Sequence, residues 1–189
     1  MAEALGAAGS IVGIAAFGLK SLTTIQAYVD AVSDADSNLH SLVIEVKATA
    51  STLKQLHDFI VHDQAAAVVV AAEGDGNIDS DNGGSNSIRI ANDEGVRQAI
   101  QLASQCKQVY TAIIKLIAKD VGAPRDGNGE VSLDDLSLDA VKTPAIQKFK
   151  WSLREPRVRK LREELAWLKF SLMLHLQVME LARSKMTLV

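Results

Sequence analysis

The chain has 189 residues, a length that suits one domain with a substantial core. With 48% hydrophobic residues and three prolines its composition favours helices, and its one cysteine excludes an internal disulfide framework or a cysteine-rich metal site. The net charge of −3 is segregated, because residues 1–95 hold 13 acids and 4 bases whereas residues 96–189 hold 10 acids and 16 bases. We predict an all-α, single-domain multi-helix bundle over residues 1–189, with an apolar, glycine-rich N-terminal helix and a long C-terminal helix.

The N-terminal segment 1–19 is apolar, with one acid, Glu3, and no base. Small residues recur along it, several of them at four-residue intervals, and large apolar side chains fill the rest of a helix. Small residues at that interval let helix backbones approach closely, in a membrane or in a packed bundle. The small residues are Gly6, Gly9, Ser10, Gly13 and Gly18. The large apolar residues are Leu5, Ile11, Val12, Ile14 and Phe17.

Two familiar kinds of apolar N-terminal segment do not fit this one. A secretory signal has basic residues ahead of its apolar region, whereas here the charge is acidic, so we expect the resting protein to be cytoplasmic. A permanent membrane span needs about 20 apolar residues, and Ala4 to Leu19 supplies sixteen uncharged ones. Two interpretations remain open: a buried first helix of a soluble bundle, or a helix that leaves the bundle and inserts into a membrane.

Apolar residues at three- and four-residue steps predict a second helix over roughly 37–72, with Asp34, Asp36 and Ser37 as plausible caps. Its apolar positions are Leu39, Leu42, Val43, Val46, Ala50, Leu53, Leu56 and Ile60. Residues 73–91 are acidic, rich in glycine and largely without periodicity, which predicts a flexible loop.

A third helix is predicted after Asn92, which can cap it, with Asp93 and Glu94 in the first turn. Its buried face is predicted at Val96, Ala99, Ile100, Ala103, Cys106, Val109, Tyr110, Ile113, Ile114 and Ile117. Because Cys106 lies within that stripe, we expect it to pack in the core rather than to act as a reactive thiol.

A polar turn is predicted at 121–131, and the stretch from Pro124 to Asp135 resembles an EF-hand calcium loop from its third position onward. The calcium ligands would be Asp126, Asn128, Glu130, Ser132 and Asp135. Pro124 stands where the first ligand should be, so a capped turn leading into a short helix is the favoured interpretation. We predict no cofactor.

The final third has the strongest helical pattern, beginning at Thr143 and Pro144. A near-heptad apolar seam runs through Val158, Leu161, Leu165, Leu168, Leu172, Leu176 and Met179. We expect this seam to face the bundle core and to be widened by Trp167, Phe170 and Leu174. Pro156 is expected to kink or divide the helix.

A basic run precedes and overlaps this seam, and it could attract anionic lipid headgroups or a partner protein. Its members are Lys148, Lys150, Arg154, Arg157, Arg159, Lys160 and Arg162. Pairing with the acidic first half of the chain is equally open. Nucleic acid is not expected as a partner, because the chain is net acidic and has no recognisable binding motif. An enzyme is not expected either, because no nucleotide loop, zinc spacing or nucleophile motif occurs and the four histidines are scattered.

Three stretches together resemble the fungal N-terminal domain of STAND (NLR-like) proteins, which is related to the HeLo and HeLo-like cell-death domains. These are the opening Met-Ala-Glu-Ala-Leu-Gly-Ala-Ala-Gly-Ser-Ile-Val-Gly-Ile, residues 27–32 (Ala-Tyr-Val-Asp-Ala-Val), and the ending from Lys150-Trp151 through the apolar seam to Val178. The similarity covers nearly the whole chain, but it consists of apolar and small-residue patterns without a catalytic signature.

The resemblance implies a helical signalling or execution domain, controlled by an upstream or fused NLR-like sensor. In HeLo-type members the N-terminal helix is released on oligomerisation and inserts into the membrane. Matched onto this sequence, the inserting segment is Ala2 to Leu19, and Glu3 faces a pore lumen or the far interface, since an exposed carboxylate in lipid is costly.

The implied partners are further copies of the chain and the anionic lipids of the plasma membrane. At rest, we expect the first helix to pack against the seam from Leu161 to Met179. The alternative function is a soluble helical protein–protein interaction (adaptor) module with no membrane activity.

Overall fold

The computed structural model describes residues 2–31, 37–73, 93–122 and 155–186. They form four α-helices, which we number α1 (Ala2–Ala31), α2 (Ser37–Glu73), α3 (Asp93–Val121) and α4 (Glu155–Met186). Within these ranges every residue except Gly122 is helical and no strand occurs. The predicted all-α bundle is therefore confirmed.

The apolar segment predicted at 1–19 is not a separate helix. It continues without a break to Ala31 as α1, a helix of 30 residues. Glycines inside a helix cost roughly 1 kcal/mol each relative to alanine. Tertiary packing of one apolar face stabilises a helix more than propensity does, and the burial of Ile11, Ile14 and Ile25 supplies that packing.

The predicted bounds of α2 and the predicted start of α3 agree with the structure. α2 begins at Ser37 and α3 begins at Asp93, as the capping pattern predicts. The end of α3 is marked by Gly122, whose φ of +69° lies in the left-handed region. Glycine adopts this conformation without a Cβ clash, which is why it commonly follows the last residue of a helix.

Pro156 does not interrupt the described part of α4, whereas the upstream part of the predicted helix, from Thr143, lies outside the described residues. The helix begins at Glu155, which places Pro156 in its first turn. Backbone N–H groups in the first turn have no carbonyl to bond to within the helix, so a proline there removes no hydrogen bond. Downstream of Pro156 the helix runs unbroken to Met186.

The four helices alternate in direction along the chain. The C-terminal ends of α1 and α3 and the N-terminal ends of α2 and α4 meet around a small apolar cavity of about 10 Å³. Its lining residues are Tyr28, Leu39, Leu42, Ile113, Leu116, Ile117 and Val158. A cavity of this size and polarity is too small for a ligand and offers a water molecule no hydrogen-bond partner.

α1 packs mainly against α2 and α3, and α4 packs against the same two helices. α1 and α4 are therefore diagonal neighbours, and the expectation that α1 packs against the seam from Leu161 to Met179 was wrong. The seam itself is buried as predicted, but α2 and α3 cover it. Periodicity shows which face of a helix is buried, not which helix buries it.

Trp167, Phe170 and Leu174 do not widen the buried seam. They are 71, 59 and 52% exposed, on the side of α4 that faces away from the core. With about 100° between successive residues, Trp167 and Leu174 lie almost opposite Leu165 and Leu172, which are fully buried. α4 is therefore apolar on two opposite faces, and the bundle uses one of them.

Three polar contacts fix the position of α4 between its neighbours. Lys169 Nζ lies 2.7 Å from Glu45 Oε2 of α2, and both side chains are mostly buried. Nearer the start of α4, Arg162 Nη1 donates to Asn38 Oδ1 at 3.0 Å. On the other side, the His175 Nε2 atom lies 2.8 Å from the Gly95 carbonyl oxygen of α3. α4 thus runs parallel to α2 and antiparallel to α3.

We predict that Leu172→Ala lowers the free energy of unfolding by about 2–5 kcal/mol, because it leaves a cavity in the core. Leu172 is fully buried, whereas Leu174, two residues away, is 52% exposed. Leu174→Ala is therefore the matched control and should change stability by less than about 1 kcal/mol. Urea unfolding followed by circular dichroism at low protein concentration measures both, and equal losses would contradict the division of α4 into a buried and an exposed face.

Candidate functional site on the first helix

The structure divides the predicted site residues of α1 between two faces. Ile11, Ile14 and Gly18 are buried against α2 and α3, and Phe17 is half-buried beside them. The exposed site residues are Gly6, Gly9, Val12 and Gly13. The side chains of Glu3 and Leu5 lie outside the described part of the chain.

Three glycines of α1 border open space. A Cβ atom added at Gly6, Gly9 or Gly13 would have no heavy atom within 4 Å apart from its immediate helical surroundings. Packing within the bundle therefore does not require glycine at these positions. The exposed face is smooth enough for another helix to approach closely.

Gly18 has the opposite surroundings. A Cβ atom there would lie 2.7 Å from Cε2 and 3.0 Å from Cζ of Tyr110 on α3. The Phe17 ring packs beside the same tyrosine, with ring centroids 6.5 Å apart and planes tilted by 51°. The Tyr110 ring thus fills the space that the missing side chain of Gly18 leaves, and this contact sets how closely α1 approaches α3.

The Tyr110 hydroxyl is buried at this contact without a hydrogen-bond partner among the described residues. Thr49 lies near enough to the phenol to lower its pKa, but the Thr49 hydroxyl donates to the Glu45 carbonyl at 2.7 Å and no bond of hydrogen-bond geometry joins it to the phenol. Burial, with the Cys106 thiol as a lesser cause, outweighs Thr49 and raises the pKa of Tyr110. An unsatisfied buried hydroxyl costs about 1–3 kcal/mol, so the α1–α3 contact contains a destabilising element.

Cys106 lies one turn before Tyr110 on the buried face of α3, where it was predicted to pack. Its side chain is fully buried, and burial raises the pKa of the thiol to about 12. A thiol reacts as its thiolate, so this cysteine is unsuited to nucleophilic chemistry near neutral pH.

Most of α1 meets the length and polarity requirements of a membrane span. Ala8–Asp30 has 23 residues with a mean hydropathy of 1.4, and 39% of that stretch is buried in the bundle. By itself this is weak support for a membrane role, because the core helix of a soluble protein passes the same test. It does show that less than half of this apolar stretch is buried in the bundle.

The basic run is only partly described. Arg157, Arg159 and Lys160 are exposed on the first turns of α4, whereas Arg162 is half-buried and bonded to Asn38. Because successive helical residues differ by about 100°, the exposed cations spread over a sector of roughly 160° on the side of α4 away from the buried Val158. Lys148, Lys150 and Arg154 lie outside the described residues.

The candidate calcium ligands Asp126, Asn128, Glu130, Ser132 and Asp135 also lie outside the described residues. The same holds for nearly all of the loop predicted at 73–91 and the turn predicted at 121–131. Among the side chains that the structure does describe, no three histidines, cysteines, aspartates or glutamates lie close enough together to hold a metal ion.

Comparison of the chain with protein-family models, curated proteins and solved structures finds no match. The resemblance to HeLo-like domains therefore rests on the sequence patterns alone and stays a prediction.

Alanine substitutions at two glycines of α1 should have opposite effects. Gly13→Ala should raise the free energy of unfolding by about 0.5–1 kcal/mol, because the site is open and alanine is the better helix former. Gly18→Ala should lower it by about 1–3 kcal/mol, because the added methyl group overlaps the Tyr110 ring. Urea unfolding measures the free energy of unfolding of each variant. A change in the same direction for the two variants would contradict the close α1–α3 contact.

The buried thiol predicts a loss of stability at alkaline pH. In the unfolded chain Cys106 ionises near its ordinary pKa of 9.0, whereas in the folded chain it stays protonated up to about 12. Above pH 9 the unfolded state therefore binds fewer protons than the folded state, and the free energy of unfolding falls as pH rises. The fall should be shallower in Cys106→Ala, and chemical unfolding between pH 7 and pH 10.5 tests this. Equal slopes for the two proteins would show that Cys106 ionises equally well in both states.

Proposed function

We propose that this chain is a cell-death-type signalling domain that oligomerises and permeabilises membranes through α1. The observation that carries the proposal is the mean hydropathy of 1.4 over Ala8–Asp30, combined with the burial of only 39% of that stretch in the bundle. The resemblance of the sequence to HeLo-like domains supports the same function.

Release of α1 exchanges one apolar environment for another. Ile11 and Ile14, buried in the bundle, would be shielded from water in lipid as well, so their hydrophobic stabilisation is retained. The cost falls on the faces of α2 and α3 that α1 leaves behind. Part of that cost is offset because the unpartnered Tyr110 hydroxyl would gain water as a hydrogen-bond partner.

The segment that we propose to insert is the one that the resemblance implies, Ala2 to Leu19, which shares Ala8 to Leu19 with the apolar stretch and ends before Lys20. Ala2 to Leu19 contains 18 residues, which span about 27 Å as a helix and so nearly match the roughly 30 Å hydrocarbon core. Lys20 follows directly, and its long side chain can reach the headgroup region from the end of the segment.

Self-association of the released helix would use its open glycine face. Gly6, Gly9 and Gly13 are free of contacts that require glycine in the bundle, and small residues at this spacing promote close helix pairing in lipid. The exposed cations Arg157, Arg159 and Lys160 would attract anionic headgroups. An upstream or fused NLR-like sensor that clusters several copies would raise the local concentration and so favour the associated state.

One observation favours the alternative of a soluble interaction module. α4 has an exposed apolar face, on which the Trp167 side chain is 71% exposed, and such faces commonly mark protein contacts. In this alternative α1 stays in the bundle, and the protein does not release dye from vesicles.

Two glutamate substitutions on α1 test membrane insertion. Ser10 and Gln26 are both exposed, so Ser10→Glu and Gln26→Glu add the same charge without disturbing the core. Ser10 is central in the inserted segment, where a carboxylate costs about 2.5–3.5 kcal/mol. We expect Ser10→Glu to reduce dye release from vesicles containing phosphatidylserine by at least about tenfold, and Gln26→Glu, beyond Lys20, to leave release nearly unchanged.

Circular dichroism first shows that both variants are folded. Dye release is then measured with the purified chain, both alone and clustered through a fused, inducible oligomerising tag. Point substitutions are preferable to deletion of Ala2 to Leu19, because deletion also removes the buried Ile11 and Ile14 from the core. Absence of dye release by the clustered wild-type chain, or full release by Ser10→Glu, would exclude insertion of α1 as the mechanism.

A further inference from the structure

The exposed face of α4 carries a continuous apolar row, which we call the outer stripe. It consists of Trp167, Phe170, Leu174, Val178 and Leu181. These side chains are 52 to 71% exposed, and the Trp167 and Phe170 rings pack edge to face with centroids 6.4 Å apart. Their spacing of three, four, four and three residues confines them to a sector of roughly 80° on the helix. A contiguous apolar row of this kind on a folded surface marks an interaction site.

The outer stripe is symmetric about Leu174. Phe170 and Val178 lie four residues to either side of it, and Trp167 and Leu181 lie seven residues to either side. In an antiparallel pair of α4 helices whose two-fold axis passes beside Leu174, Phe170 therefore faces Val178 of the second copy, and Trp167 faces its Leu181. Each aromatic ring meets a smaller aliphatic side chain, and Leu174 meets Leu174.

The charges at the ends of the outer stripe obey the same symmetry. Glu163 and Lys185 lie eleven residues to either side of Leu174, close to the line of the stripe. Both are exposed, and neither forms an ion pair with another described residue. In the antiparallel pair, Glu163 of each copy faces Lys185 of the other. A parallel pair in register would instead place glutamate beside glutamate and lysine beside lysine, which is destabilising.

We propose that two copies of this chain associate through the outer stripe as an antiparallel dimer with its two-fold axis at Leu174. The interface is isologous, because the same row of side chains serves both copies. It extends over about 33 Å from Glu163 to Lys185, at 1.5 Å per residue. A single two-helix contact is smaller than the roughly 800 Å² per partner of a standard interface, so the dimer dissociates in the micromolar range.

A second copy fits the outer stripe better than a lipid surface does. A membrane imposes no symmetry on the spacing of apolar residues or on the charges at their two ends. Pairing requires both the symmetric spacing and the opposite end charges. The dimer does not depend on the release of α1.

Sedimentation velocity of the full chain across the micromolar range tests the dimer. We expect Leu174→Glu to lower the association constant by at least about tenfold, because it places two carboxylates side by side at the axis. Ile44→Glu is the matched control, since Ile44 is 65% exposed on α2 and lies away from the outer stripe. It should leave association unchanged.

Charge exchange tests the orientation of the two helices. Glu163→Lys and Lys185→Glu should each weaken association roughly fivefold, because each substitution turns two attractive pairs into repulsive ones. The double variant should restore the wild-type association constant in an antiparallel pair. In a parallel pair both single variants and the double variant would retain like charges side by side, and no restoration would occur.

Four outcomes of these experiments would overturn the proposed dimer. A monomer at every concentration, a dimer that Leu174→Glu does not weaken, or a double variant without restoration would exclude this interface. So would a wild-type monomer that binds phosphatidylserine vesicles and loses that binding in Leu174→Glu, which would assign the outer stripe to a lipid surface. Ser10→Glu should leave dimerisation intact whether or not α1 inserts into membranes, so failure of one proposal can be distinguished from failure of the other.

Discussion

The contact between the Tyr110 ring and Gly18 determines how α1 fits into the bundle. Because any side chain at Gly18 would overlap the ring, the close approach of α1 to α3 depends on glycine at this one position. The same contact buries a hydroxyl that has no hydrogen-bond partner among the described residues, and the exposed glycines add the entropic cost of ordering a flexible backbone. α1 is thus held by good shape complementarity but with a smaller net gain in free energy than a leucine-rich helix would obtain.

α1 and α4 differ in which residues they bury and which they expose. α1 buries Ile11 and Ile14 and exposes mainly small residues, with Val12 and Leu19 as its large exposed apolar side chains. α4 buries a full leucine seam and still exposes large side chains such as Trp167. The first arrangement favours a helix whose detachment costs little, and the second favours a helix that stays in place and accepts a partner.

Periodicity in the sequence was sufficient to predict the starts of α2 and α3, the burial of Cys106 and the buried seam of α4. It failed where two apolar faces share one helix, because Trp167 and Leu174 were assigned to the seam although they lie opposite it. It also could not distinguish Gly13, which borders open space, from Gly18, which receives a tyrosine ring. That difference depends on a residue 92 positions along the chain. The neighbour of each helix was likewise unpredictable, since an apolar stripe shows which face of a helix is buried but not which helix covers it.

The diagonal arrangement of α1 and α4 has a consequence for assembly. In a dimer formed through the outer stripe, the two α4 helices lie at the centre, and each α1 lies on the far side of its own bundle, beyond α2 and α3. The two α1 helices of one dimer are then too far apart to pair with each other. Their exposed faces, with Gly9 and Gly13, point outward and are available to neighbouring dimers. Association of α1 helices would therefore require clustering of dimers, and dimerisation alone would leave α1 in its resting place.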